Sequence, residues 1–324
     1  MGLELERGTK SFQYLEVPGA ATERNFVNNP LFGPPRPRTA KMPFMRVNGA
    51  REGPNLCIIA GTHACEYPSI DAAIETYKRT DPRTLSGRVI IVPVVNLAAF
   101  WTRTPYINPD DGMDIGATYH VEGGTISYLI GKVLKEKVFS QADYIVDLHG
   151  GDVMEDVVPH AGFTRIGDKE VDEASEMLAR SYGTKYVFER LEKGAFEKSG
   201  LRIPRTLAEA GREGRLEPEL TAVHLNGISN IMKALRMIDG TPEIPSDQVV
   251  MHGRYEIFVR SAGLFHPSVQ MADHIRKGEV LGEIRDLDGR TLEQIIAPKD
   301  GVVLLMMTNP VKHADDLVFK IWMY

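Results

Sequence analysis

Four short apolar runs, each ending in turn residues and set apart by stretches of helical periodicity, constrain this chain more than any other feature. They are NLCIIA (55–60), RVIIVPVVN (88–96), ADYIVDLHGGD (142–152) and RTLAEAGREG (205–214). The intervening segments YPSIDAAIETYKRT (67–80), ISYLIGKVLKEKVFSQ (126–141), DKEVDEASEMLARSYG (168–183) and PELTAVHLNGISNIMKALRMI (218–238) read as helices. A near-continuous apolar run marks a strand buried on both faces. Strands alternating with helices predict an α/β fold with a mostly parallel or mixed sheet flanked by helices. FMRVNG adds a strand before the first run, the Pro-rich FGPPRPRT (32–39) reads as an extended loop, and residues 102–125 read as a long loop.

The pattern changes near residue 240. GTPEIPSD (240–247) is a plausible linker, and from Val249 onward short strands and turns recur every ten or so positions. This predicts two domains, residues 1–243 and a small all-β module over 244–324. A net charge of −6 excludes an electrostatic footprint for nucleic acid. The longest apolar run, RVIIVPVVNLAAFW (88–101), is too short to span a membrane. The charged start MGLELERGTK has no apolar signal core and no Ser or Thr at position 6 for myristoylation. Two cysteines, Cys57 and Cys65, make no disulfide framework, so a cytoplasmic, reducing location is expected.

Chemistry concentrates at the strand ends. GTHACE (61–66) places His63 and Glu66 three residues apart after the first run, and VDLHGG places His149 at the end of the third. Parallel strands bring these ends to one edge of the sheet. Two imidazoles and one carboxylate leave a fourth position open, the ligand set of a catalytic zinc, which would acidify a bound water and polarise a carbonyl. Cys65 lies between two residues that share a face and so points away as a packing residue, with a thiolate ligand or redox-sensitive neighbour as the alternative. Asp147 either orients a ligand or faces the sheet. Glu209, before the glycine that ends the fourth run, is the candidate general base; Glu213 and Glu217 fall in the following turn and helix start.

In order, GTHACE (61–66), VVNLAAFWTRTP (94–105), DYIVDLHGGD (143–152) and TLAEAGREGRLEPE (206–219) resemble the succinylglutamate desuccinylase/aspartoacylase family of zinc carboxypeptidase-like metallohydrolases. KGEVLGEIRDLDGRTLEQIIAPKDGVV (277–303) resembles that family's C-terminal β-module, which is similar to lipoyl-type barrel-sandwich hybrids. The resemblance implies one zinc ion (Zn2+) per chain on His63, Glu66 and His149. Glu209 would activate water and protonate the leaving amine, and Arg103 would polarise the carbonyl or stabilise the oxyanion; a loop cation is the other reading of Arg103. The implied reaction is hydrolysis of a small N-acyl amide, on a small-molecule substrate, with a homo-oligomer left open. An inactive binding protein of the same fold, or a deacylase of a substrate lacking an α-carboxylate, are the alternatives.

The chain departs from the family at one place. Members carry D-G-x-x-L-N-R-x-F-P-G, whose Asn-Arg pair grips a carboxylate; here DGMDIGATYHVEGG (111–124) puts Gly116 and Ala117 at those positions. Tyr119 and His120 in the altered loop are expected to contact a different head group. Arg165, Arg202, Arg205 and Arg212 are candidates for the missing cation, with Arg212 carried forward as a substrate residue. His160 reads as a loop histidine or a pocket residue. Lys299 in APKDGVV lacks the flanking residues of a carrier lysine.

Overall fold

The computed structural model describes residues 6–17, 40–120, 123–190 and 193–324. The expected loop over 32–39 lies outside them. The first part of the chain supplies β1 (Thr9–Glu16), β2 (Lys41–Asn48), β3 (Arg51–Ile59), β4 (Ser86–Val92), β5 (Tyr144–His149), β6 (Glu155–Thr164), β7 (Tyr186–Arg190) and β8 (Arg205–Arg212). Its helices are α1 (Tyr67–Arg79), α2 (Leu97–Thr102), α3 (Ile126–Val133), α4 (Lys169–Ser181), α5 (Ala195–Lys198) and α6 (Pro218–Ala234). The remainder is all β: β9 (Val249–His252), β10 (Arg254–Phe258), β11 (Gly263–Pro267), β12 (His274–Ile275), β13 (Val280–Arg285), β14 (Thr291–Ile296), β15 (Gly301–Met307), β16 (Val311–Lys312) and β17 (Leu317–Trp322).

The main sheet runs β1-β2-β4-β3-β5-β8-β6-β15-β17-β10, with β7 and β9 continuing from β6. Its centre, β4-β3-β5-β8, is parallel, and the four predicted runs form it. The outer pairings of β1 with β2, β2 with β4 and β6 with β8 are antiparallel, which makes the sheet mixed. A second sheet, β14-β13-β11-β16, completes the tail.

Strand pleating sorts the buried side chains onto two faces. Leu56 and Ile58 of β3, Val146 and Leu148 of β5 and Ala208 of β8 join one apolar cluster, beneath α1, α4 and α6. Cys57 and Ile59 of β3 and Ile145 of β5 join the opposite cluster, with α3 and Phe196 of α5. Asp147 and His149 alternate with Val146 and Leu148, so they belong to this second face, as does Glu209 between Ala208 and Ala210. The polar residues thus share one side of adjacent strands while the other side is anchored in core.

Two expected elements differ. The helix over 126–141 keeps α geometry only to Val133; a wider turn follows over Leu134–Val138, and a tight turn over Phe139–Gln141. Lys135 of the widened turn donates to the Ser199 carbonyl oxygen at 2.9 Å, tying it to the segment after α5. The loop 102–125 holds a short turn, Ile115–Ala117, started by Asp114, whose side chain accepts from the Gly116 amide. Among the described residues no helix is long and apolar enough to cross a membrane.

Candidate active site

β3 ends at Ile59, and Gly61 (φ 62°) turns the chain back across Val94. Only glycine takes that left-handed conformation without strain. The turn delivers His63 and then Glu66, which occupies the N-cap position of α1. A side chain there usually caps the helix. The Glu66 carboxylate caps nothing and points instead between two imidazoles: Oε1 is 2.8 Å from His63 Nδ1 and Oε2 is 3.2 Å from His149 Nδ1. Ligand atoms of His63, Glu66 and His149 all lie within 4.8 Å of one another.

The outer nitrogens of both rings face carboxylates. His149 Nε2 is 3.2 Å from Asp147 Oδ1, and His63 Nε2 is 3.6 Å from Asp114 Oδ1. Asp147 is itself hydrogen-bonded by Arg205, which also donates to Glu197 Oε1 at 3.0 Å. A carboxylate behind each imidazole fixes the ring and turns its other nitrogen inward. Burial alone would lower His63, but Glu66 and Asp114 outweigh it and raise it to about 10. Burial likewise opposes His149, and Asp147 and Glu66 carry it well above its usual value.

This arrangement fits a divalent cation. Glu66 is 2% exposed, and Oε2 receives no hydrogen bond despite its approach to His149. A buried carboxylate needs positive partners: here the two imidazoles whose protonation it favours serve, and a divalent cation among the three groups would take over that role. Two inward Nδ1 atoms and a carboxylate oxygen are the donors a borderline ion such as zinc takes, although nitrogen and oxygen donors also serve other divalent metals.

Register puts Glu209 directly beside His149 on the neighbouring parallel strand. Burial raises its carboxyl to about 7; His149 opposes this, and Glu66 and Glu155 reinforce it. A carboxyl poised near neutrality can take and return a proton. Arg103 stands exposed at the C-cap of α2 with a left-handed backbone (φ 56°), and among the described residues its side chain forms no ion pair.

The expected substrate residues are scattered. Tyr119 is buried, its ring packed edge-on against Phe139 and Phe196. His120 is exposed. Arg212 gives its fork to Glu217, with Nε 2.8 Å from Oε2 and Nη2 3.0 Å from Oε1. Arg165 and Arg202 are likewise paired, with Glu176 and Glu189 and with Asp168. His160 is on β6 rather than in a loop, and it lines a cleft beside Glu209. Asp114 went unforeseen, because an aspartate in an Asp-rich loop carries no sign of which strand end the loop will revisit. Tyr106, edge-on to His63 with ring centroids 5.4 Å apart, was hidden for the same reason.

Residues 52–235 match the family model described as the succinylglutamate desuccinylase/aspartoacylase catalytic domain. An N-alpha-acetyl-L-2,4-diaminobutyric acid deacetylase from Halomonas elongata is 26% identical over 266 residues, covering 78% of this chain and 77% of the relative. A solved succinylglutamate desuccinylase/aspartoacylase from Rhodobacter sphaeroides superimposes with a TM-score of 0.84 at 23% identity, covering 99% of this chain and 98% of that one. The product-bound ectoine utilization protein EutE (DoeB) from Ruegeria pomeroyi superimposes with a TM-score of 0.86 at 20% identity, with the same coverage.

Proposed function

Because the chain belongs to the succinylglutamate desuccinylase/aspartoacylase family, we propose that it is a metal-dependent deacylase of a small N-acylated amine or amino acid. It is a hydrolase of amide carbon–nitrogen bonds. The observation that carries the finer reading is the buried Glu66 carboxylate set between two inward-facing imidazoles, with Glu209 on the adjacent strand.

His63, Glu66 and His149 would hold the metal, zinc by donor type. When bound, such an ion supplies Lewis acidity that lowers the pKa of water and polarises a carbonyl. Glu209 accepts the proton of the attacking water and later returns it to the departing amine nitrogen, so the amide breaks to a carboxylate and an amine. Arg103, without an ion pair among the described residues, meets the negative charge that develops on the carbonyl oxygen. Asp147 and Asp114 keep both imidazoles oriented through the cycle.

Elemental analysis of the purified protein, paired with hydrolysis of an N-acyl amide panel, tests this. About one zinc per chain is expected. Glu209→Gln should keep the metal and lose roughly 100- to 10,000-fold in turnover, the usual contribution of a positioned acid–base group. A chain that takes up no divalent metal, or a Glu209→Gln variant with near-wild-type turnover, removes the mechanism. Gly116 and Ala117 favour a second reading, a substrate without a carboxylate at the family's usual place.

A further inference from the structure

β1 closes one end of the main sheet. It runs TKSFQYLE and pairs with β2 along its whole length without a bulge. Among the described residues no strand lies on its other side. Its backbone is half used. The Val17 amide donates to the Ala40 carbonyl oxygen at 3.0 Å, one step beyond the last β1–β2 pair. Hydrogen bonding alternates along an antiparallel strand. Ser11, Gln13 and Leu15 therefore also turn their backbone toward β2, while Lys10, Phe12, Tyr14 and Glu16 present N–H and C=O groups at the open edge.

Such an edge is normally guarded by proline, a bulge or a projecting lysine. β1 has neither proline nor bulge. Its one lysine is drawn aside, since Lys10 Nζ donates to the carbonyl oxygens of Tyr77 and Lys78 at the end of α1, at 2.7 and 3.0 Å. The edge shows instead Phe12 and Tyr14, 49% and 52% exposed, their rings edge-on at 5.3 Å. Tyr14 also rims a hollow shared with the exposed Trp101 of α2, so aromatic surface continues beyond the strand.

The strand is self-complementary about Gln13. A half-turn about an axis through Gln13, perpendicular to the sheet, sets Phe12 opposite Tyr14 of a second copy and Lys10 opposite its Glu16. Directly opposed side chains share one face, so four rings meet on that side. Lys10 spends two of its three ammonium protons on α1 and keeps one for the facing carboxylate. Glu16 is exposed, with Lys41 at 3.4 Å as its present partner. On the other face Gln13 meets Gln13 and Ser11 meets Leu15, so like charges are nowhere opposed. The four residues whose backbone is open become the hydrogen-bonded pairs of the new ladder. No other twofold register of this strand matches both the charges and the rings.

We propose that the β1 edge binds the β1 edge of a second copy of this chain, giving a twofold dimer whose main sheet runs through both subunits. This is independent of the amide-hydrolase reading.

Sedimentation velocity of the full zinc-loaded chain over a concentration series tests it, and a monomer–dimer equilibrium is expected. Tyr14→Pro should remain monomeric. It removes a ring and an N–H at the open edge but no bond to β2, and proline is tolerated at such edge positions. Cysteine cross-linking then reads the register. Gln13→Cys should oxidise to a disulfide-linked dimer, because opposed residues without mutual hydrogen bonds lie about 4.5 Å apart at Cα. Thr9→Cys should not, because its two copies would lie roughly 27 Å apart. The native cysteines are buried and stay silent. Wild type that stays monomeric throughout overturns the proposal. A dimer that persists in Tyr14→Pro and gives no Gln13→Cys cross-link lies on another surface and overturns it equally. If Tyr14→Pro does not fold, the cross-links decide: Gln13→Cys alone supports the proposal, and both variants or neither overturns it.

Discussion

At the scale of single residues, the site is a chain of charges in which each group fixes the next. Arg205 holds Asp147, Asp147 holds His149 Nε2, and His149 turns Nδ1 to Glu66. Asp147 is 2% exposed, and its carboxyl stays well below the ordinary range: burial opposes this, while His149 and Arg205 outweigh it. Asp147→Asn keeps the shape and one acceptor oxygen but removes the charge behind the ring. Arg205 retains Glu197, so the protein should still fold. Affinity for zinc should fall about 10- to 100-fold, the usual cost of losing a carboxylate behind a ligating imidazole. Competition titration against a chromophoric chelator measures it, and an unchanged affinity would reduce Asp147 to a partner of Arg205.

At the scale of elements, the parallel centre was legible because buried strands must be apolar throughout, and a charged residue at such a run's end has little reason to be there except chemistry. His63, Glu66, His149 and Glu209 were therefore visible in sequence. β6 and β7 were not: EDVVPHAGFT and YVFER mix polar and apolar residues without clean alternation, because part of their surface lines a cleft. Arg190 ends one of those strands, so its place in the cleft beside Arg205 and Glu209 only shows once β8 and β10 surround it. Helix α6 was legible by period, but not its contact. Gly227 faces the fully buried Tyr182 ring, and a Cβ there would fall 2.3 Å from Tyr182 Cζ. Tyr182 bonds His224 Nδ1 at 2.7 Å, and His224 Nε2 meets the Ala210 carbonyl of β8 at 3.0 Å. Gly227→Ala would gain about 1 kcal/mol in helix propensity. Displacing a packed ring costs about 1–3 kcal/mol and also strains that link to the strand carrying Glu209. The net expectation is a lower midpoint in denaturant unfolding; a higher midpoint would show that the ring gives way freely.

At the scale of the whole molecule, the main sheet and one apolar cluster cross the proposed division at 243/244, while a further cluster from Ile257 to Ile321 belongs to the tail alone. β15 pairs with β6, β9 with β7, and Trp322 near the C-terminus is 1% exposed against His160 and Phe188. His160 sits in this seam, with Nδ1 2.9 Å from the Val158 carbonyl oxygen. Burial lowers it to about 4; the Val158 carbonyl opposes this, and Arg254 and Lys320 add to the lowering. Below its ordinary pKa of about 6.5 the unfolded chain binds a proton that the folded seam refuses, so stability is lost as pH falls from about 6.5 to about 4 and not above that window. A shift of that size is worth on the order of 3 kcal/mol at the acid end. His160→Asn keeps a donor where Nδ1 lies but cannot titrate. Denaturant unfolding from pH 7.5 to 4 should give a shallower acid decline for the variant, the two curves diverging only below about pH 6.5. Curves that stay parallel would place the acid sensitivity elsewhere, and the seam between the two parts of the chain would then be indifferent to protons.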